Sequence, residues 1–293
     1  MANRRVIVKR RKSVRNIRKI TRTMQLIATA RFQAALNRAT ATKPYTEKLE
    51  ELVDDLSRAA EGVSHPLMET HDDAPRSALV VITSNRGLCG GYNAHVLKAA
   101  VEHLDAQASN DVETDVTMVG KKGAGYFRFL ARPMAEQIAT IGDTPKFGDV
   151  EPIANALMDR FTNGEIVSAH VAYMQFVSMG RQRPVVLRLL PMMKDENRST
   201  EEKTASTGVD FEFSPEPKAL LDELLPASVR VRLFQCFTDA AVSEQIARMV
   251  AMKAATDAAG DMIKLLTRQY NRARQTQITM ELLDIIGGAS ALA

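Results

Sequence analysis

The 293 residues are 45% hydrophobic and 25% charged, an ordinary globular composition long enough for one large domain or two smaller ones. Cys89 and Cys236 stand far apart and in no metal-like spacing, which excludes a disulfide scaffold and points to a reducing compartment. Net charge is only +4, yet residues 1–46 hold no Asp or Glu while carrying Arg4, Arg5, Lys9, Arg10, Arg11, Lys12, Arg15, Arg18, Lys19, Arg22, Arg31, Arg38 and Lys43; such a block calls for an anionic partner (nucleic acid, lipid head groups or acidic protein) or for an Arg-rich transit peptide.

In chain order, the stretch from Ser13 to Ala60 has no Gly and only Pro44, and is rich in helix formers. Val14, Ile17, Ile20, Met24, Ile27, Ala30 and Ala34 follow three- and four-residue steps, predicting one apolar stripe that faces a partner and narrows to small side chains, as a close-packed coiled coil needs. About forty residues of helix make a rod of roughly 60 Å. A loop from Gly62 to Pro75 follows. Then Ala78–Thr83 reads as a buried strand, Ser84–Asn93 as a Gly-rich turn, and Ala94–Gln107 as a helix. Strands are expected near Thr114–Val119, Ala135–Ile141, Glu165–Val177 and Val185–Met192, with helices at Lys122–Leu130 and Glu151–Thr162. This alternation indicates an α/β domain with a mainly parallel, Rossmann-like sheet. Residues 194–208 read as a solvated loop and Lys218–Leu225 as a short helix stopped by Pro226. A long helix is expected over Ala227–Ile286, broken only by Gly260 and ended by Gly287–Gly288, its seam including Met249, Met252, Ala255, Ala259, Met262 or Ile263, Leu266 and Ala273.

The expected fold is therefore α/β: a long antiparallel coiled coil of the terminal helices plus a Rossmann-like domain. The divisions are 1–60 (N-terminal coiled-coil helix), 76–193 (α/β domain), 194–226 (loop and short helix) and 227–293 (C-terminal coiled-coil helix). Low aromatic content, absence of Trp and 14 Met suit helix seams better than a thick β-core. No apolar run approaches a membrane span, so any membrane role is peripheral.

Three segments resemble the γ family of F-type ATP synthases. The first runs from Ser13-Val14-Arg15-Asn16-Ile17-Arg18 through Thr23-Met24 to Ala28-Thr29-Ala30-Arg31. The second is Ser84-Asn85-Arg86-Gly87-Leu88-Cys89-Gly90-Gly91-Tyr92-Asn93. The third is Ser243-Glu244-Gln245-Ile246-Ala247-Arg248-Met249-Val250-Ala251-Met252-Lys253, then Tyr270-Asn271-Arg272-Ala273-Arg274-Gln275, Ile278-Thr279 and Glu281-Leu282. The resemblance implies a non-catalytic rotor shaft inside a ring of three α and three β subunits, joined by an epsilon subunit and resting on a membrane ring of c subunits. It further implies a peripheral place at the cytoplasmic side of a bacterial plasma membrane. Since the first signature begins almost at Met1, no transit peptide is expected.

Carried over residue by residue, the resemblance puts Arg274, Gln275 and Thr279 at positions that hydrogen-bond a β-subunit loop, where an Arg fork suits carboxylates. It puts Met24 in the opposing amino-terminal segment, although Gln25-Leu26 stands where a charged residue and Met are frequent. A solvated helix face and a plain coiled-coil seam are the bland readings of these positions. Asp210 and Glu212, within Val209–Lys218, match a segment that meets the membrane ring, with Ser214 where an acid is often found. Arg10-Arg11-Lys12 departs from the family, which commonly has an apolar residue near position 11. The turn Ser84–Asn93 lacks the spacing of a dinucleotide fingerprint and the Gly-Lys-Ser/Thr end of a phosphate loop, so it reads as a structural turn. The five His do not cluster at ligand spacing, and neither cofactor nor metal is expected. A basic coiled-coil nucleic-acid-binding or scaffold protein is the alternative, weakened by the absence of aromatics before Phe32; a nucleotide-using α/β enzyme lacks its phosphate motif.

Overall fold

The computed structural model describes residues 4–59, 65–69, 76–192 and 217–292. The elements are α1 (Arg4–Ala59), β1 (Arg76–Ile82), α2 (Tyr92–Ser109), β2 (Glu113–Val119), α3 (Lys121–Phe129), β3 (Glu136–Ile138), α4 (Phe147–Thr162), β4 (Ser168–Ser178), β5 (Arg181–Leu190) and α5 (Pro217–Leu292). They form two compact units, residues 1–30 with 248–293 and residues 31–247.

In the 31–247 unit the strands order as β3-β2-β1-β4-β5. All neighbours are parallel except the β4–β5 hairpin. Strand β1 is a continuous apolar run because it is covered on both faces, as parallel strands are. Alternation sends Ala78, Val80 and Ile82 towards α4 and towards the parts of α1 and α5 in this unit, where Phe161, Leu221, Leu225, Val229 and Leu233 are buried. Leu79 and Val81 turn the other way, onto Val96, Ala100, Ala124 and Phe127 of α2 and α3. The β2–α3 connection is tight. Gly120 has φ +97°, and a Cβ there would lie 2.2 Å from the Thr83 carbonyl oxygen, so only glycine fits. Within the same unit Phe32, Ala35 and Ala39 of α1 pack on Val242 and Ile246 of α5. Thr42 Oγ1 donates to Gln235 Oε1 at 3.1 Å beside them.

The α/β alternation and mainly parallel sheet stand as expected, with ends shifted by a few residues. Helix α1 starts at Arg4, inside the 1–60 stretch expected to be helical. Two local expectations are corrected. Helix α5 is unbroken from Pro217 to Leu292, running through Pro226, Gly260 and Gly287. An internal Pro costs about 3 kcal/mol and a Gly about 1 kcal/mol. Burial of Leu221, Leu225, Val229 and Leu233 around Pro226 outweighs the first, and pairing along Ala259 and Leu266 outweighs the second. Finally, among the described side chains of α1 the buried ones are Ile7, Val14, Ala28, Phe32, Ala35, Ala39, Thr46, Leu49, Val53 and Leu56, whereas Ile17, Ile20 and Ile27 are exposed. The seam repeats every seven residues, the period that keeps one face on a partner helix. Counting apolar side chains alone drew the stripe towards isoleucines that lie outside it. The predicted loops at Gly62–Pro75 (apart from 65–69) and 194–208, with Asp210, Glu212 and Ser214, lie outside the described residues.

Candidate functional site

The expected contact residues Arg274, Gln275, Thr279 and Met24 all belong to the 1–30 and 248–293 unit, where the start of α1 runs antiparallel to the end of α5. The Thr21 and Thr256 hydroxyls are 2.8 Å apart. The Arg18 guanidinium carbon lies 3.8 Å from where a Cβ of Gly260 would stand. Arg11 stacks over the Tyr270 ring, 4.9 Å from its centroid. Ile7, Val14, Ala259 and Leu266 form the buried seam, with Ile263, Tyr270 and Ala273 against it. Arg11 is half-buried, its cation covering the face of the Tyr270 ring at the edge of the seam.

This seam stops at Ala273. Every residue from Arg274 to Gly287 is exposed, including Ile278, Met280, Leu282, Leu283, Ile285 and Ile286. Exposed apolar patches mark interaction sites, and these side chains lie on more than one face of the helix. Arg274, Gln275 and Thr279 sit at its root. Thr279 Oγ1 donates to the Gln275 carbonyl at 3.0 Å, which leaves the hydroxyl free only to accept. Arg274 is exposed, and its guanidinium carries five donors.

Met24 is half-buried and falls one turn beyond the Thr21–Thr256 contact, on the Met252 side. It lies about 30 Å along the axis from Arg274. The segment opposite Arg274 is the one near Ile7, which packs in the same cluster as Ala273. The structure therefore brings Arg274, Gln275 and Thr279 together and leaves Met24 as a separate position.

In the 31–247 unit, the Gly-rich turn after β1 bonds both within itself and to its neighbours: Asn85 Nδ2 donates to the Ile141 carbonyl at 2.8 Å, and Asn85 Oδ1 accepts from the Lys121 N–H at 3.2 Å. Asn93 Oδ1 accepts from the Ser84 backbone N–H at 3.0 Å, and the Ser84 hydroxyl donates to the Arg86 carbonyl at 2.7 Å. Gly90 at φ +56° makes the reversal. Beside it, Thr83, Asn85, Asp143 and Glu244 line a cleft of about 30 Å³, where nucleotides and drug-sized ligands occupy several hundred. Asp143 is ion-paired with Arg31.

The perturbed titratable groups lie elsewhere in this unit. Burial raises Asp239 to about 6, against hydrogen bonds from Gln235 and the Phe176 backbone and the charge of Lys43. Burial pushes the Cys236 thiol up to about 12 and the Tyr173 hydroxyl upwards as well, which keeps the cysteine an unreactive thiol. His170 is lowered to about 4 by burial, then by His103 and Arg188. The two imidazoles lie 4.5 Å apart between β4 and α2. Sequence reasoning missed Asp239, although an acid inside the apolar run Leu233–Val242 was a readable signal. It also missed the exposed rings of α3. Among the described residues no group of three or more His, Cys, Asp or Glu is arranged to hold a metal ion, and no helix is long and apolar enough to cross a membrane.

A family model described as ATP synthase matches residues 3–292. With nearly the whole chain matched, it belongs to the ATP synthase γ-chain family. An ATP synthase gamma chain of Rhodopirellula baltica is 45% identical over 294 residues, covering 100% of this chain and 99% of its own. One of Frankia casuarinae is 41% identical over 289 residues, covering 97% and 96%. Among solved structures, a chain of the Euglena gracilis mitochondrial ATP synthase (OSCP/F1/c-ring, rotational state 3) superposes with a TM-score of 0.68 at 20% identity, covering 99% of this chain and 94% of that one. This last likeness is one of fold.

Proposed function

We infer that the chain is the central rotor subunit of an F-type ATP synthase. It couples ion flow through a membrane c-ring to the conformational cycle of three catalytic β subunits, for ATP synthesis or hydrolysis. The observation that carries this is full-length identity of 45% to a protein named ATP synthase gamma chain. The basic coiled-coil nucleic-acid or scaffold alternative finds no support among the matched proteins.

The physical logic follows from the helix pair. A rod can drive a conformational equilibrium only through contacts that differ between states. Up to Ala273 the two helices share a seam; from Arg274 onwards a single helix presents apolar side chains that a surrounding ring of subunits would cover. Apolar contact suits a turning tip because no directional hydrogen bond breaks at each step. At its root, Arg274, Gln275 and Thr279 offer donors and acceptors to a β-subunit loop, the Arg fork gripping a carboxylate. Met24, half-buried beside the seam, serves packing and a second contact lower on the pair. The exposed cations of α1 between Arg4 and Arg22, Arg11 apart, match acidic loops of the ring. Asp210 and Glu212 belong to a proposed contact with the c-ring, and an epsilon subunit completes the rotor.

In this reading the chain is a non-catalytic subunit, supported by its match to proteins named ATP synthase gamma chain and by the small cleft beside the turn after β1. It is peripheral to the membrane, and we extend the proposal to the cytoplasmic side of a bacterial plasma membrane. The test is reconstitution. Purified chain mixed with α and β subunits of the same source is expected to join three α–β pairs as one copy and to raise MgATP hydrolysis sharply. Failure to join them, with nucleotide or RNA bound by the isolated chain instead, would overturn the proposal.

A further inference from the structure

We propose that the outer face of α3 is a docking surface for anionic lipid head groups. Helix α3 buries Gly123, Ala124 and Phe127 against the sheet, which turns two neighbouring stripes outwards. One carries Lys121 and Arg128; the other carries Lys122, Tyr126 and Phe129 at i, i+4 and i+7. Phe129 is 83% exposed, and Tyr126 and Leu130 are 42% and 39% exposed. No Asp or Glu occurs between Asp115 and Glu136.

The projection of these rings is fixed by the end of the helix. Arg132 N–H donates to the Phe127 carbonyl at 3.0 Å and Ala131 N–H to the Arg128 carbonyl at 3.2 Å. This closes a Schellman turn around Ala131, at φ +52°. Arg132 is held by Asp105 at 2.7 Å. Phe129 and Leu130 thus leave a closed turn at a fixed angle.

Rings beside lysines and arginines, on a helix that carries no acid of its own, are the composition of a protein surface that meets lipid head groups. A second protein is the weaker occupant. The face spans nine residues, about 13 Å of helix, short of a standard protein interface, and lysine is depleted at such interfaces. At an anionic bilayer the lysines contribute fully and no shape complementarity is needed. The family's membrane-associated complexes bring a bilayer within reach, but the measurement needs no other subunit. Its failure would therefore leave the rotor assignment untouched.

The chain has no Trp, so Phe129→Trp in the full-length protein places a single fluorescent reporter on this face. With vesicles of phosphatidylglycerol and phosphatidylcholine, emission of the introduced indole is expected to shift to the blue and to be quenched by brominated acyl chains. Salt should reverse the shift, and pure phosphatidylcholine should give none. Adding Lys121→Glu with Lys122→Glu should weaken the apparent affinity read from the indole by more than about tenfold. Sedimentation alone does not count, because the cationic start of α1 would bind the same vesicles. Binding of the chain with the indole emission unchanged overturns the proposal. So does a shift indifferent to the two lysine reversals, or one that appears on assembly with other subunits in the absence of lipid.

Discussion

The two units of this chain solve the burial problem in opposite ways. The 31–247 unit covers a parallel sheet on both faces, so Phe127, Phe161, Leu79 and Leu225 are fully buried by the chain's own residues. The 1–30 and 248–293 unit has only a seam two helices wide, and beyond Ala273 not even that. A self-sufficient core makes stability; an unfinished one makes contacts for other molecules. The same sequence thus separates the part that must hold its shape from the part that must be completed by partners.

The largest effect should come from breaking the self-sufficient side. Phe127→Ala is expected to cost about 3–5 kcal/mol in urea unfolding, because the site between α3 and the sheet cannot collapse. Leu266→Ala in the two-helix seam should cost about 2–3 kcal/mol, since one side of a narrow seam relaxes more easily. Equal losses would mean the seam is as rigid as the sheet.

The next effect is on pH. Asp239, near 6 when folded and near 3.9 when unfolded, binds more protons in the folded state, so its contribution to stability rises as pH falls from about 6 to 4. His170, near 4 when folded and near 6.5 when unfolded, does the opposite over almost the same window. The two offset each other in the native chain. Asp239→Asn should expose the histidine, with stability dropping by roughly 1–2 kcal/mol between pH 6.5 and 4. His170→Leu should show the reverse slope. A chemical-denaturation series across pH that leaves both variants as flat as the parent would remove this pairing.

A smaller gain is expected at the end of α3. Ala131→Gly relieves a left-handed alanine and should stabilise by about 1 kcal/mol, read as a higher melting temperature.

Last is a change with no expected effect on the isolated fold. Arg274→Ala with Gln275→Ala alters only exposed side chains and should stay within about 0.5 kcal/mol of the parent. It should nonetheless impair coupled ATP synthesis in reconstituted vesicles. Similarly, removing residues 287–293 should hurt assembly less than removing Val14–Ile27, which takes Val14 out of the seam. Unchanged synthesis by the double variant would sever Arg274 and Gln275 from function.

Much of this was legible in the chain itself. Alternating apolar runs and helix formers gave the strands and helices of the sheet, because parallel strands buried on both faces must be apolar throughout. Long stretches of helix formers at both ends indicated a pair, and the Arg274–Glu281 part of the third motif lies in the segment that proves to be uncovered. Side-chain identity carries this kind of information, since it is set by what each residue must bury.

Other features depended on the tertiary structure. Whether Pro226 and Gly260 interrupt α5 is decided by a balance between a local cost and burial by residues distant in sequence, and the burial wins. Which isoleucines of α1 enter the seam is decided by the seven-residue geometry of two paired helices, which admits Thr21 and Ala28 and leaves Ile17 and Ile20 outside. The separation of Met24 from Arg274 follows from antiparallel register, which no composition reveals. The raised Asp239 and lowered His170 arise from the solvent their surroundings exclude. Sequence names the groups; only packing sets the dielectric and the distances that decide what they do.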